Sequence, residues 1–415
     1  GTTGSLDMVT SLFLRRRRSR ALALALPLLV TACSSGDDSA SVDTPSTPLT
    51  SATVTVTQVV PSPHDVTLSG LEIASGGSAD GAPTPLVDLV EIRSGGPPPD
   101  GIPSIDEPAF VPAADVDFLA DNEPILAVDI NGDVRAYPVQ ILMWHEIVND
   151  TVGDVPVAVT YCPLCNSAVA YDRRIDDRIM EFGTSGLLWN SALVMYDRQT
   201  ETLWSHFTGQ GIVGELTGVE LDTFAVATVP WKVWRDANPD GLVLSRDTGF
   251  DRDYGRNPYP GYDDVNGEPF LFEGEVDGRY TAMTRIAGVE RDGEALGVPL
   301  VTLRAERVVA ADLAGTELVF FWEPGTASAL DASDVAGGDD IGATGVFIPR
   351  AGGQALTFSA GHGGFVDDQT GSTWNLLGEA VAGRLAGTKL EAVPHVDTFW
   401  FAWSAFRPDS AIIGE

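Results

Sequence analysis

Apolar residues along this chain gather into short runs separated by turn-forming positions, with a few brief stretches of helical period. Val139–Val148 follows Pro138 and carries Leu142, His145 and Val148 at helical spacing, which predicts a short amphipathic helix. Val157–Tyr161 is compact and rich in β-branched residues, the signature of a strand. Ser167–Asp172 and Arg178–Phe182 flank the polar turn Ile175-Asp176-Asp177 like a hairpin. Leu193–Tyr196 and Thr202–Phe207 bracket Asp197-Arg198-Gln199-Thr200 in the same way. Pro230–Ala237 predicts a second short helix, ended by Asn238-Pro239. Strands and helices do not alternate regularly, as a doubly wound parallel sheet would require. The expected fold class is α+β, mainly antiparallel β with short helices.

The same order of motifs then occurs a second time. Val128–Pro138 (VDINGDVRAYP) matches Val289–Pro299 (VERDGEALGVP), setting Gly132 on Gly293. The same offset carries Val155–Asp172 onto Thr316–Ser333, so that Cys162 and Cys165 fall on Glu323 and Thr326, and His145 on Glu306. After a shift, Asp197-Arg198-Gln199-Thr200 and Trp204 meet Asp367-Asp368-Gln369-Thr370 and Trp374. Gly209, Gly214 and Gly218 then pair with Gly378, Gly383 and Gly387, and Trp234 with Trp403. Composition bias scatters glycine matches, but it does not keep such motifs in order over a long stretch. The expectation is two internally duplicated lobes.

Before the lobes the pattern changes. Arg15–Arg18 and Arg20 precede the apolar run Ala21–Val30, which is too short to cross about 30 Å of hydrocarbon. Leu29-Val30-Thr31-Ala32-Cys33-Ser34 then reads as a lipobox. The expected organisation is a lipoprotein signal peptide at 1–32 with Cys33 lipidated, and a Ser/Thr/Gly/Pro-rich tether at 33–97. Lobe one, with the cysteine motif, spans 98–271, and lobe two, a degenerate repeat, spans 272–415. Val54–Val60 alternates and is a candidate edge strand. This address predicts an extracytoplasmic protein anchored by lipid to the bacterial cell membrane or outer membrane.

Charge narrows the partners. With 25 basic and 59 acidic side chains the formal net charge is -34, a field that repels phosphate backbones and excludes nucleic acid as a natural partner. A membrane partner is expected only through the lipid on Cys33. The phosphate-cradling pattern GxxxxGK[ST] does not occur.

Candidate chemistry sits in lobe one. Cys162-Pro163-Leu164-Cys165 has the spacing at which two thiols close a disulfide, exchange with one, or bind one soft or borderline metal. A long helix after the pair would suit a thioredoxin-like site, but Asn166–Arg173 reads as a strand. His145 and His206 are the candidate imidazoles, and with Cys162 and Cys165 they compose a reasonable set for zinc, or for copper with fewer ligands. His145-Glu146-Ile147-Val148-Asn149 resembles HExxH but ends in Asn, which excludes a zincin. Asp247-Thr248-Gly249 lacks the second triplet that an aspartic-protease dyad needs.

The motifs DGIPSIDEPAF (Asp100–Phe110), WHEIVND (Trp144–Asp150), TYCPLCNSAVAYDR (Thr160–Arg173), GTSGLLWNSALVMYDRQTETLW (Gly183–Trp204) and DTGFDRDYGRNPYPGY (Asp247–Tyr262) stand in a fixed order. That order resembles the bacterial and archaeal family called domain of unknown function 3179. The resemblance runs from about Pro98 to the end and implies secreted or lipid-anchored proteins without an assigned activity. The CPLC pair, His145 and Asn190 lie on its strongest motifs. Ser205-His206 departs from the Ser-Gln expected of many members, which weakens His206 as a ligand. Two functions therefore stand: a CxxC/His site for metal binding or thiol–disulfide exchange, and a non-catalytic binding or assembly module in which the pair is a structural disulfide. Cys162, Cys165 and His145 are expected to form one compact polar site, with Asn190 contributing an amide nearby.

Overall fold

A computed structural model describes residues 83–414 of the chain. The expected signal peptide, Cys33, the candidate edge strand at Val54–Val60 and most of the expected tether lie outside the described residues. Antiparallel sheet dominates, and the α-helices among the described residues are four single pieces of seven residues each: α1 (Val139–His145), α2 (Trp231–Ala237), α3 (Leu300–Glu306) and α4 (Trp400–Phe406). No helix among the described residues is long and apolar enough to cross a membrane.

Tight turns set the register. Pro124–Ile130 pairs with Asp133–Pro138 through Asn131-Gly132, whose φ values of 54° and 82° give the twist of a two-residue hairpin. Arg285–Arg291 pairs with Glu294–Pro299 through Asp292-Gly293 at 51° and 79°. Each hairpin ends in a proline that stands at the N-cap of α1 or α3. This position suits a residue with no N–H to donate.

The two halves of the described chain have corresponding strand orders. In the first, Ala227–Pro230, Pro124–Ile130, Asp133–Pro138, Leu242–Leu244 and Phe110–Pro112 lie side by side. In the second, Val396–Phe399, Arg285–Arg291, Glu294–Pro299 and Ala411–Ile412 do so. The contact of Leu242–Leu244 with Asp133–Pro138 is parallel, and so is that of Ala411–Ile412 with Glu294–Pro299. A second sheet in the first half runs Thr223–Phe224, Ser167–Asp172, Val155–Cys162, Ile147–Val152. Its counterpart in the second half runs Glu391–Ala392, Ala343–Ile348, Thr316–Glu323, Val308–Leu313. A third sheet in the first half contains Phe182–Trp189, Ala192–Asp197 and Leu203–Ser205.

Three local expectations change. Helix α1 stops at His145 rather than Val148, because Glu146 turns to φ 58° and its N–H closes on Leu142 O at 2.7 Å. Ile147–Val152 is instead a strand whose β-branched residues pair with Val155–Thr160. Apolar positions three apart suited both readings. The Asp176-Asp177 turn closes only Arg174–Ile175 on Arg178–Ile179, while Phe182 begins a strand paired with Ala192–Asp197. In the second half, residues 328–333 are not a strand, and the place beside Thr316–Glu323 is taken by Ala343–Ile348.

The largest apolar cluster joins residues of both halves. Val157, Val159, Tyr161, Cys162, Cys165 and Trp204 pack in it together with Ile286, Phe399, Trp400 and Trp403. Burial of this continuous surface is the main force holding the halves in place.

Candidate functional site

Strand Val155–Cys162 carries Cys162 to its last position, where it pairs with Ser167 across a four-residue loop. Asn166 closes that loop with φ 52° and donates its N–H to Pro163 O at 3.2 Å. Asn tolerates the left-handed conformation better than most residues, which lets the chain curl back within the CPLC turn. The turn is pinned from outside through its carbonyls. Tyr262 Oη donates to Leu164 O at 2.9 Å, while Thr398 Oγ1 and the Phe399 N–H donate to Cys165 O at 2.7 and 3.1 Å.

Into this turn comes His206, just past the end of strand Leu203–Ser205. Leu193 ties the parts together: its C=O accepts from the His206 N–H at 3.1 Å, and its N–H donates to Cys162 Sγ at 3.4 Å. Both sulfurs and a ring nitrogen of His206 lie within 4.8 Å of one another. Ser167 Oγ bridges the set, 2.9 Å from Cys165 Sγ and 3.4 Å from His206 Nδ1. His206 Nε2 is buried and has no hydrogen-bond partner among the described residues. The thiols are not joined in a disulfide, and Cys162, Cys165 and His206 are 1%, 0% and 0% exposed.

Burial sets the protonation of this group. It pushes the Cys162 thiol well above its ordinary value, reinforced by the neighbouring Cys165. Burial also lowers His206, against the opposing influence of Cys162, so the imidazole is neutral at neutral pH. Neutral imidazole is the form that ligates metals. A cation arriving between the sulfurs would replace their protons and offset the cost of burying thiolate charge.

His145 does not belong to this cluster. Its Nδ1 lies 2.7 Å from Pro103 O and must donate to it, which leaves Nε2 to accept from Tyr254 Oη at 2.6 Å. Tyr254 is held in turn by Thr248 at 2.5 Å. Burial pushes His145 below the usual histidine range. With both ring nitrogens engaged, it is a hydrogen-bonded core residue, and the side chains that converge are Cys162, Cys165 and His206 rather than the expected Cys162, Cys165 and His145. Asn190 supplies a turn: with Ser191 at φ 51° and 58°, it links Phe182–Trp189 to Ala192–Asp197.

Sequence reasoning passed over Glu146, set aside along with the failed HExxH pattern. Its backbone is in a conformation that non-glycine residues rarely adopt, φ 58° and ψ −32°, and its C=O accepts from the Tyr161 N–H at 2.8 Å. The residue is 7% exposed and lines a cavity of about 450 Å³ together with Leu164, Leu193, Tyr259 and Tyr262. Burial, and then the nearby Cys162, hold its carboxyl well above the ordinary range. Ser167 was also missed: it opens its strand opposite Cys162, and its hydroxyl comes to lie beside Cys165 Sγ only because the turn curls back.

The chain belongs to the family described as protein of unknown function (DUF3179), which it matches over residues 99–410. No curated protein and no solved structure matches it.

Proposed function

For this member of the DUF3179 family, we propose that Cys162, Cys165 and His206 bind one thiophilic metal ion, zinc or copper(I). The observation that carries the reading is the buried convergence of two free thiols and an imidazole within 4.8 Å, with His206 Nε2 lacking any other partner. Two thiolates, a neutral imidazole and Zn²⁺ sum to zero charge, which suits a site without water access. The donor set matches zinc or copper(I) by softness, and zinc would take a fourth ligand beside the three. Thiol–disulfide exchange with a protein partner fits less well, since attack needs an accessible sulfur.

The two lobes derive from one duplicated unit. Support comes from the matching strand orders and from two equivalent clamps, in which Trp204 Nε1 and Trp374 Nε1 donate to Asp197 and Asp367 at 2.9 Å each. Glu323 ends the strand corresponding to that of Cys162, and Leu376 follows Trp374 as His206 follows Trp204. Lobe two thus keeps the frame and none of the three ligands. Cys33 anchors the mature chain at an extracytoplasmic membrane face, a reading supported by the lipobox and the short apolar run. Mass analysis of the N-terminal peptide tests it: a diacylglyceryl group on Cys33 is expected, and a freely secreted chain without one contradicts it.

Metal content tests the site. In a Cys33→Ala chain, Cys162 and Cys165 are the only thiols. Elemental analysis should find one equivalent of zinc or copper per chain, with both thiols reactive only after chelation and unfolding. A metal-free protein whose two sulfurs are joined would establish the structural disulfide instead.

A further inference from the structure

The cavity beside the cysteine turn has a composition that selects its occupant. Its walls are mostly apolar, with Leu187, Leu188, Leu193 and Phe270 among them, and about 450 Å³ is room for a small organic molecule. Its charged lining residues are two acids, Glu146 and Glu268, with no lysine, arginine or histidine. Glu146 is more than nine-tenths buried, lines the cavity, and its carboxyl has no hydrogen-bond donor within the described residues. A buried carboxyl without a donor is costly to keep unless something else satisfies it.

We propose that this cavity binds a small apolar amine, with the ligand's ammonium group bonded to Glu146 and its hydrocarbon body among the leucines. An ammonium supplies the charge-assisted hydrogen bonds that Glu146 lacks. Tyr259 and Tyr262 in the wall are compatible with a cation, and Glu268 adds a second negative charge. Anionic ligands are disfavoured twice, by the acidic lining and by the net charge of -34. Leu164 of the cysteine turn and Leu193, whose N–H donates to Cys162 Sγ, both stand in this wall, so the ligand lies beside Cys162 without depending on a metal there.

The test uses 4-phenylbutylamine with its matched alcohol and carboxylate, titrated calorimetrically into the full Cys33→Ala chain at about 0.15 M salt, where exposed charges are screened. The amine should bind about tenfold or more tightly than the alcohol, the gain of a charge-assisted bond, and the carboxylate should not bind. Glu146→Gln should bring amine and alcohol within about threefold of each other, and Ile102→Trp, which fills the cavity from its loop side, should weaken both. Chelator-treated and metal-loaded protein should give the same ranking, which separates this proposal from the metal reading. Equal binding of amine and alcohol by the wild-type chain, binding of the carboxylate, or an amine preference unchanged in Glu146→Gln would overturn it.

Discussion

His206 differs from the other buried imidazole in what its ring lacks. His145 spends both nitrogens on Pro103 and Tyr254, whereas His206 has only a loose contact from Ser167 and an unpartnered Nε2. His206→Leu should therefore fold, since Leu376 fills the corresponding place of the second half in a buried setting. It should lower metal affinity by about tenfold or more, measured by competition with a chromogenic chelator, while His145→Gln should leave the metal in place. Two thiols must lose protons when the ion enters, and Cys162 is held above the ordinary thiol value by burial. Affinity should consequently fall as pH falls, by up to about two decades per pH unit. An affinity flat between pH 6 and 8 would mean that the thiols are not ligands. The cysteines were legible in the sequence because their spacing is local. The choice between His145 and His206 was not, since it depends on hydrogen bonds to Tyr254 and Leu193, which are distant in sequence from the histidines they bind.

At the scale of single elements, the Asp-x-x-Thr turns decide how each half is clamped. Asp367 Oδ1 accepts from the Thr370 N–H at 2.6 Å, and Oδ2 takes the Trp374 indole at 2.9 Å. Burial alone would raise this carboxyl, but the hydrogen bonds from Trp374, Thr370 and Ser372 bring it below the usual range. Its contribution is then complete above about pH 4, the unfolded carboxyl value, and is lost as pH falls through the lower folded value. Asp367→Ala should destabilise by about 1–3 kcal/mol at neutral pH, because the indole N–H is left buried without an acceptor. The gap from wild type should narrow in acid denaturation below pH 4; an unchanged gap would remove the carboxylate from the account. Close packing against aromatic rings, with a left-handed backbone, explains two glycines. A Cβ on Gly209 would come within 2.5 Å of the Tyr171 ring, and one on Gly378 within 2.5 Å of Phe347, at φ 70° and 73°. Either Gly→Ala change should cost about 2 kcal/mol or more by urea unfolding. Such turns could be read from sequence, as could the Leu203–Ser205 strand beside them. The end of α1 could not, because spacing at 142, 145 and 148 fits a helix and a following strand alike.

On the scale of the whole molecule, the candidate site is not the property of one half. The CPLC turn comes from the first, yet Thr398 and Phe399 of the second hold Cys165 O, and both halves share the main apolar cluster. A chain ending at residue 271 should fail to unfold cooperatively and should not retain metal, whereas Thr398→Val should stay folded and bind more weakly. A stable, metal-binding fragment would show that the second half is dispensable. Sequence repetition pointed to related halves but carried no sign of this contact, which arises only when the strands of one half meet the turn of the other. X-ray absorption at the metal edge of the purified chain tests the central claim most directly. Two sulfur neighbours near 2.3 Å and at least one nitrogen near 2.0 Å are predicted for zinc, the nitrogen disappearing in His206→Leu. A shell of oxygen and nitrogen alone, or one unchanged by that substitution, would contradict it.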